Sequence, residues 1–303
     1  MENTRALFLT IDFGSNSNKY LISLYKDQKL YIIKKGSVIH RIKKEQNIED
    51  YEKKLAILFN QITYSITSLK KKYNTDKFIT LAVGTEFYRH TQTITPRVIE
   101  LNKKYLNTVN TNFLVLTQEE ESYYSSKVID FFFREYIAID LGGGSTEITV
   151  KHGNKHARFL YPFGCLSETN EYTFTKDFLD YYSNLQNELD LILMGGSFIS
   201  TLLSIENIKT EKIFFHILET AIIENFYNSI INLKDNELII RYPALIGREK
   251  SIKKALDFAT YLLRKIKKEK VIISLLTLLE GLTIYLIELN KLELSKIDFI
   301  QDS

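Results

Sequence analysis

Short apolar runs and longer stretches of helical periodicity alternate along the chain. In the first half, three apolar runs follow one another closely and two come later, each bounded by polar or turn residues, so they predict strands. These strands span residues 6–12, 19–25, 29–33, 78–83 and 112–116. Residues 48–72 instead carry apolar side chains at a helical spacing and predict one long helix. Its apolar face consists of Tyr51, Leu55, Leu58, Ile62, Ile66 and Leu69.

The second half repeats this arrangement, with three successive strands followed by helices and one further strand. The predicted strands are 136–140, 147–151, 156–161 and 190–194, and the predicted helices lie at about 175–188, 213–231 and 249–268. Because a strand meander followed by helices occurs twice, the pattern predicts an α/β protein with two stacked domains. We place them at residues 1–128 and 129–303.

One motif occurs in both halves. Residues 11–18 read Ile-Asp-Phe-Gly-Ser-Asn-Ser-Asn, and residues 139–146 read Ile-Asp-Leu-Gly-Gly-Gly-Ser-Thr. Small residues after a strand let backbone N–H groups point at an anion. The motif therefore predicts two phosphate-binding loops, in two like domains that face a shared cleft. The predicted phosphate-binding residues are Gly14, Ser15, Asn16 and Ser17 in the first loop and Gly142, Gly143, Gly144, Ser145 and Thr146 in the second.

Two other segments could also bind phosphate. Gly195, Gly196 and Ser197 follow a further apolar strand and form a third candidate anion site. Arg89 comes five residues after Gly84, at the end of another predicted strand, and could bind a phosphate through both guanidinium nitrogens.

An acidic run begins a predicted helix in the middle of the chain. Thr117 and Glu120 have the spacing of a capping box, and the run Glu119–Glu121 begins this helix. Acidic residues complement the helix dipole, which accounts for part of the run. Three in succession exceed what capping needs, so one carboxylate could accept a proton from an attacking water.

Composition and charge limit which binding partners and which cellular compartment we expect for the protein. The net charge is only +3, and the basic clusters around 70–72, 253–254 and 264–270 are typical of solvated helix ends, with a track for a polyanion as the alternative. One cysteine, Cys165, excludes an internal disulfide framework. The apolar stretch Val271–Leu289 contains two glutamates, so a buried helix is favoured over a membrane span. We expect a cytoplasmic protein with no membrane or specific nucleic-acid partner.

Together these motifs resemble the exopolyphosphatase / guanosine pentaphosphate phosphohydrolase (Ppx/GppA) family, within the actin-like ATPase superfold. Residues 12–17 are similar to that family's D-x-G-S-N-S, residues 84–89 to its strand-end segment with a phosphate-binding arginine, and residues 117–121 to its S-G-x-E-E. Residues 140–147 match its D-x-G-G-G-S-T-E throughout. The resemblance implies two actin-like (ribonuclease H-like) domains, and its register places the catalytic glutamate on Glu121.

The chain departs from the family pattern at several places, among them residues 241–244, which match it poorly. Asn18 and Lys19 stand where the family continues its first loop with Phe-His. Residues 274–281 align with the family's S-D-x-G-L-R-E-G but lack its aspartate, its first glycine and its arginine. These departures affect segments that could contribute to substrate grip or domain closure.

The resemblance implies a Mg²⁺-dependent hydrolase that releases the terminal phosphate of inorganic polyphosphate or guanosine pentaphosphate. Asp140 and Glu147 are the predicted metal carboxylates, with Asp12 as a third, because Mg²⁺ prefers oxygen ligands. Two alternatives stay open: a non-catalytic polyphosphate or alarmone sensor, suggested by the altered C-terminal motif, and an actin-fold metabolite kinase. A homodimer is one option for its assembly.

Overall fold

The computed structural model describes residues 5–14, 16–40, 48–90, 95–169, 171–185, 189–209 and 213–299. It divides the chain into two compact units. The first comprises Met1–Val128 together with Leu278–Ser303, and the second comprises Ile129–Thr277. Residues 278–303 therefore lie with the first unit, which differs from the predicted second domain of 129–303.

The elements alternate between strands and helices throughout. The strands are β1 Ala6–Phe13, β2 Ser17–Lys26, β3 Lys29–Ile39, β4 Phe78–Gly84, β5 Phe113–Val115, β6 Tyr136–Leu141, β7 Thr146–His152, β8 Lys155–Tyr161, β9 Asp190–Met194, β10 Phe215–Glu219, β11 Lys270–Ser274 and β12 Lys296–Phe299. The helices are α1 Ile48–Tyr73, α2 Glu86–His90, α3 Thr95–Leu106, α4 Gln118–Phe132, α5 Lys176–Ser183, α6 Gly196–Ile205, α7 Thr220–Ile230, α8 Asp235–Arg241, α9 Glu249–Ile266 and α10 Leu278–Leu289.

The sheets of the two units share a five-stranded topology. The first is ordered β12-β3-β2-β1-β4-β5 and the second β10-β11-β9-β6-β7-β8. In each, an antiparallel three-stranded meander continues through its first strand into two parallel strands. Each sheet then carries one additional edge strand, β12 beside β3 or β10 beside β11. The predicted α/β class, with two domains of like sheet topology, is confirmed.

The long predicted helix is present as α1. Its apolar stripe covers one side of the first sheet, since Tyr51, Leu55, Leu58, Ile62 and Ile66 are all buried there. A stripe at this spacing buries one face of a helix while the other remains in water. The second unit has its own core, to which α9 contributes ten buried residues. Each unit therefore has an independent hydrophobic core.

The segment predicted as a helix at 213–231 contains a strand. Phe215–Glu219 form β10, which pairs antiparallel with β11, and the helix α7 begins only at Thr220. Hydrogen bonding to a distant strand, as in the Phe215–Ser274 register pair, overrides the local helical pattern at one end. The predicted helix at 249–268 ends earlier, at Ile266, because Lys267 has a left-handed backbone with φ of 57°.

The apolar stretch Val271–Leu289 divides into two elements instead of one helix. Its first part is β11, in the second sheet, and its second part is α10, whose first seven residues are all buried. Helix α10 packs on the first sheet, where the Thr10 hydroxyl donates to the Leu279 carbonyl at 3.1 Å. Among the described residues, none of the helices combines the length and the apolar character that a membrane crossing requires.

Gly281 lets α10 approach α4 closely. A Cβ atom at this position would lie 1.8 Å from the Tyr124 carbonyl oxygen, a backbone atom that cannot move by itself. The glycine that the altered C-terminal motif retains is therefore a packing requirement. Tyr124 lies one turn after Glu121 on α4, so this contact also fixes the helix that carries the predicted base.

We expect Gly281→Ala to lower the free energy of unfolding by about 1–3 kcal/mol, the usual range for overpacking a well-packed interior. Denaturant unfolding of the variant and the wild type measures this difference. Leu289→Ala, on the exposed end of the same helix, is the control, because that side chain is 62% exposed. Equal stabilities of the glycine and alanine forms would contradict the close contact.

Candidate functional site

The duplicated motifs form two β-hairpin loops of the same geometry. In the first, the Gly14 N–H donates to the Ser17 carbonyl at 3.1 Å, and in the second the Gly142 N–H donates to the Ser145 carbonyl at 3.0 Å. A Cβ on either glycine would lie 3.0 Å from that same carbonyl oxygen. Each loop is thus closed by its first glycine, so these two amides are engaged inside the protein and not directed at an anion.

The segment 163–166 hydrogen-bonds to the carbonyl groups of the second loop. The Cys165 N–H donates to the Gly142 carbonyl at 3.0 Å, and the Leu166 N–H donates to the Gly143 carbonyl at 2.8 Å. These bonds hold the loop carbonyls away from its outer side. The N–H groups of Gly143 and Gly144 donate to no acceptor in the described part of the chain. They are the amides of this loop that can bind an anion.

The third predicted anion segment lies beside the second loop. Strands β6 and β9 are parallel neighbours, with Asp140 opposite Met194, so both end at the same edge of the sheet. Gly195 has φ of 121°, and a Cβ there would come within 2.7 Å of the Leu141 carbonyl oxygen. Helix α6 then begins at Gly196, which places the N–H groups of its first turn at this edge.

Arg89 and Glu121 contact each other in the first unit. Arg89 follows β4 on α2, and Glu121 is in the first turn of α4. The Arg89 Nη1 atom lies 2.9 Å from Glu121 Oε2 and also donates to the Leu116 carbonyl at 3.0 Å. The two side chains are only 13% and 16% exposed. The structure therefore brings together the predicted phosphate-binding cation and the predicted base, as an ion pair.

The capping box predicted before Glu121 is present. The Glu120 N–H donates to the Thr117 hydroxyl at 3.1 Å, and the Thr117 N–H donates to the Glu120 carboxylate at 2.8 Å. Glu120 is thereby committed to the helix terminus. Glu121 is the member of the acidic run that pairs with Arg89.

The two hairpins differ in charge at one equivalent position. Asp12 is opposite Lys19 in the first hairpin, and Asp140 is opposite Glu147 in the second. Directly opposite residues of an antiparallel pair have side chains on the same face. The second hairpin therefore presents two carboxylates, whereas in the first the Lys19 ammonium lies 3.5 Å from Asp12 Oδ2. Lys19 was not predicted as a site residue from the sequence; its pairing position on β2 was the available signal.

Asp12 is a buried carboxylate with one unsatisfied oxygen. The residue is 6% exposed, and its Oδ1 atom has no hydrogen-bond partner among the described residues. Burial raises the pKa of Asp12 above its ordinary value of 3.8, and the Lys19 charge offsets this only in part. A buried polar atom without a partner destabilises a fold, and such atoms are often found where a ligand binds.

We expect Asp12→Asn to increase the free energy of unfolding at pH 7. Because the pKa of Asp12 is raised in the folded protein, the folded protein keeps a proton that the unfolded chain has released, between pH 3.8 and the raised pKa. The free energy of unfolding therefore falls as the pH rises through this window. Asparagine has no charge to bury, so the difference in unfolding free energy between the variant and the wild type should grow as the pH rises. Denaturant unfolding between about pH 4 and pH 7 measures it.

Asp298→Asn is the matched control for that comparison. Its pKa is lowered by the hydrogen bond from Lys296, so its carboxylate contributes stability above the unfolded pKa and the substitution should be slightly destabilising at pH 7. An Asp12→Asn protein that is less stable than the wild type at pH 7 would refute the burial argument.

Some of the predicted site residues lie wholly or partly outside the residues that the structure describes. Ser15 lies outside the described residues, and the side chain of Ser197 does as well. Asp140 and Glu147 share one face, while Asp12 belongs to the other unit. Over the ranges that the structure describes, no three His, Cys, Asp or Glu side chains form a group able to hold a metal ion. Of the three predicted metal carboxylates, two therefore lie in the second unit and one in the first.

Comparison with solved structures finds the same fold in Ppx/GppA proteins. The Aquifex aeolicus member of that family has a TM-score of 0.69 and 21% identity, with 95% of this chain and 99% of that chain covered. The exopolyphosphatase of Cytophaga hutchinsonii has a TM-score of 0.72 and 15% identity, with 95% and 99% covered. No protein-family model matches the chain, and no curated protein matches it. The chain therefore has the Ppx/GppA fold, as its motifs predicted.

Proposed function

We propose that the protein is a phosphohydrolase that releases the terminal phosphate of inorganic polyphosphate or guanosine pentaphosphate. The observation that carries this proposal is the contact between Arg89 and Glu121. A cation that can bind a phosphoryl oxygen and a carboxylate that can accept a proton lie 2.9 Å apart, in a shielded setting. Hydrolysis of a phosphoanhydride needs both groups at one reacting phosphorus.

The proposed step is an in-line attack by water. The terminal phosphoryl group is held by Arg89, whose positive charge neutralises part of the charge on its oxygens. Glu121 accepts a proton from the water as its oxygen bonds to phosphorus. The bond from phosphorus to the bridging oxygen breaks, and the electron pair leaves with the shortened chain. Binding of the phosphoryl oxygens to Arg89 replaces part of its pairing with Glu121, which frees the carboxylate to orient the water.

The donor set of the second hairpin fits Mg²⁺. Asp140 and Glu147 present two carboxylates on one face, and Mg²⁺ is commonly bound by one or two carboxylates together with waters and phosphate oxygens. The first hairpin fits a cation less well, since Lys19 already lies beside Asp12. A bound Mg²⁺ would supply positive charge to the phosphate oxygens of the substrate. Asp140 and Glu147 are the residues proposed to hold it.

A phosphate-release assay tests this function. Long-chain polyphosphate, guanosine pentaphosphate and ATP are compared side by side, with and without Mg²⁺, and each is repeated with Glu121→Gln. We expect release from one of the first two substrates, dependent on Mg²⁺ and abolished in the variant. Binding of polyphosphate without any release would indicate the sensor, and phosphate appearing on an acceptor instead of on water would indicate a kinase.

A further inference from the structure

A closed ring of buried hydrogen bonds lies beneath the first loop. The Tyr51 hydroxyl donates to Asn102 Oδ1 at 2.7 Å, and Asn102 Nδ2 donates to the Tyr88 hydroxyl at 2.9 Å. The Tyr51 and Tyr88 oxygens are 3.2 Å apart. Since the Tyr51 proton is already given to Asn102, Tyr88 is the donor in this third contact. The three side chains are 1%, 0% and 6% exposed in the order Tyr51, Asn102 and Tyr88.

The ring is connected to the first hairpin through Asn18. Asn18 Nδ2 donates to the Tyr51 hydroxyl at 3.2 Å, and Asn18 Oδ1 lies 2.9 Å from His40 Nε2. An amide oxygen only accepts, so His40 is the donor and is present as its Nε2–H form. Burial lowers the pKa of His40 to about 4, which agrees with a neutral ring. The His40 backbone N–H also donates to the Asn16 carbonyl, inside the predicted phosphate loop.

On its other side, the ring includes the residue that precedes Arg89 in the chain. Tyr88 precedes Arg89 on the short helix α2, which has only five residues and little rigidity of its own. Tyr51 comes from α1 and Asn102 from α3. One hydroxyl, that of Tyr51, thus joins the end of the first loop to the residue beside the predicted phosphate-binding arginine.

Each polar atom named in the ring has a partner, and the Tyr51 hydroxyl uses its one proton and both acceptor positions. A buried hydrogen-bonded ring whose members are satisfied fixes one arrangement of its elements, whereas apolar side chains would allow sliding. Outside the ring, the His40 Nδ1 atom has no hydrogen-bond partner among the described residues. The phenylalanine ring of Phe13 and that of Phe113 already pack the neighbouring space without polar contacts. The Tyr88 ring packs edge-on against both of these side chains, so the network adds directional hydrogen bonds to the apolar packing of this region.

We propose that Tyr51 is a positioning residue, which sets the distance between the first phosphate loop and Arg89 so that both can bind one phosphoryl group. This inference rests on the proposed function, because it assigns the loop and Arg89 to one substrate. Tyr51 itself contacts no substrate. Asn18, which connects the ring to the first hairpin, is one of the positions at which this chain departs from the family motif.

Tyr51→Phe tests the inference, because it removes the hydroxyl and keeps the aromatic ring. A displacement of about 1 Å in catalytic geometry can reduce a rate by roughly 10²-fold. We therefore expect kcat with the preferred substrate to fall by roughly 10- to 100-fold, with a smaller change in KM. Tyr25→Phe is the matched control. Tyr25 lies on the same strand as Asn18, near its opposite end, and its hydroxyl donates to the Glu293 carbonyl at 2.7 Å.

Stability is measured for both variants, so that a general loss of folding is recognised. A positioning role requires that Tyr51→Phe lose much more kcat than Tyr25→Phe at a comparable change in unfolding free energy. It also requires that the double variant with Tyr51→Phe and Tyr88→Phe lose less kcat than the product of the two single fold-losses, since both hydroxyls act through one ring. A Tyr51→Phe enzyme that matches Tyr25→Phe in kcat overturns the inference.

Calorimetric titration with inorganic tripolyphosphate separates this failure from failure of the proposed function. Wild-type protein that binds tripolyphosphate but releases no phosphate would overturn the hydrolase, while weaker binding by Tyr51→Phe than by Tyr25→Phe would still support the positioning role. Wild-type protein that neither binds nor hydrolyses would overturn both.

Discussion

Glu121→Gln should abolish phosphate release while the protein remains folded and still binds its substrate. Glutamine has the shape of glutamate, and its side-chain oxygen can still accept the hydrogen bond from Arg89 Nη1. It cannot accept a proton from water. Loss of a general base typically reduces a rate by roughly 10²–10⁴-fold, so we expect kcat to fall by this factor.

The measurement is phosphate release under saturating substrate, together with tripolyphosphate binding and thermal unfolding. Glu119→Gln is the control, since it removes a neighbouring carboxylate that is exposed on the same helical turn. We expect the control to keep the wild-type rate. Wild-type turnover in Glu121→Gln would exclude this residue as the base and leave the Arg89 ion pair with a structural role only.

Gly164→Ala should disrupt the second loop without touching any side chain of the site. A Cβ at this position would lie 2.5 Å from the Gly143 carbonyl carbon and 2.5 Å from the Gly144 nitrogen. These are backbone atoms of the predicted anion site, so the loop must move to make room. We expect substrate binding to weaken by at least roughly tenfold, with a stability loss of about 1–3 kcal/mol typical of overpacking.

Gly153→Ala provides a control with a similar stability loss from a different cause. Gly153 lies in the turn between β7 and β8, with φ of 60°, and a Cβ added there would have no atom within 4 Å. A left-handed backbone costs a non-glycine residue about 1–2 kcal/mol. Because this turn is at the opposite end of β7 from the second loop, tripolyphosphate affinity should be unchanged. Equal affinities in the two variants would remove the second loop from the binding site.

The duplicated motif was the most informative part of the sequence for the fold. An apolar strand, a loop of small residues and a second strand specify a hairpin locally, so the same bond from the first loop glycine to the carbonyl three residues later appears in both units. The helix stripe of α1 and the capping box before Glu121 are likewise local patterns, and both are present. Such elements depend on neighbours within one or two turns, which the sequence lists directly.

Elements that depend on distant partners were predicted poorly. The strand β10 forms because β11 lies beside it, and α10 joins the first unit because it covers β1 and its glycine fits against α4. Neither partner is near in sequence. The boundary of the second domain was misplaced at its end for the same reason.

The sequence by itself determined the two hairpins, the α/β class and the residues offered for phosphate chemistry, because each is encoded in a short run with its own periodicity or turn chemistry. Only the tertiary structure decided which of those residues meet. The pairing of Arg89 with Glu121, the placing of Lys19 against Asp12 and the ring around Tyr51 arise from packing between different elements of the fold. Contacts of this kind follow from how buried surfaces fit together, and local pattern carries no record of that fit.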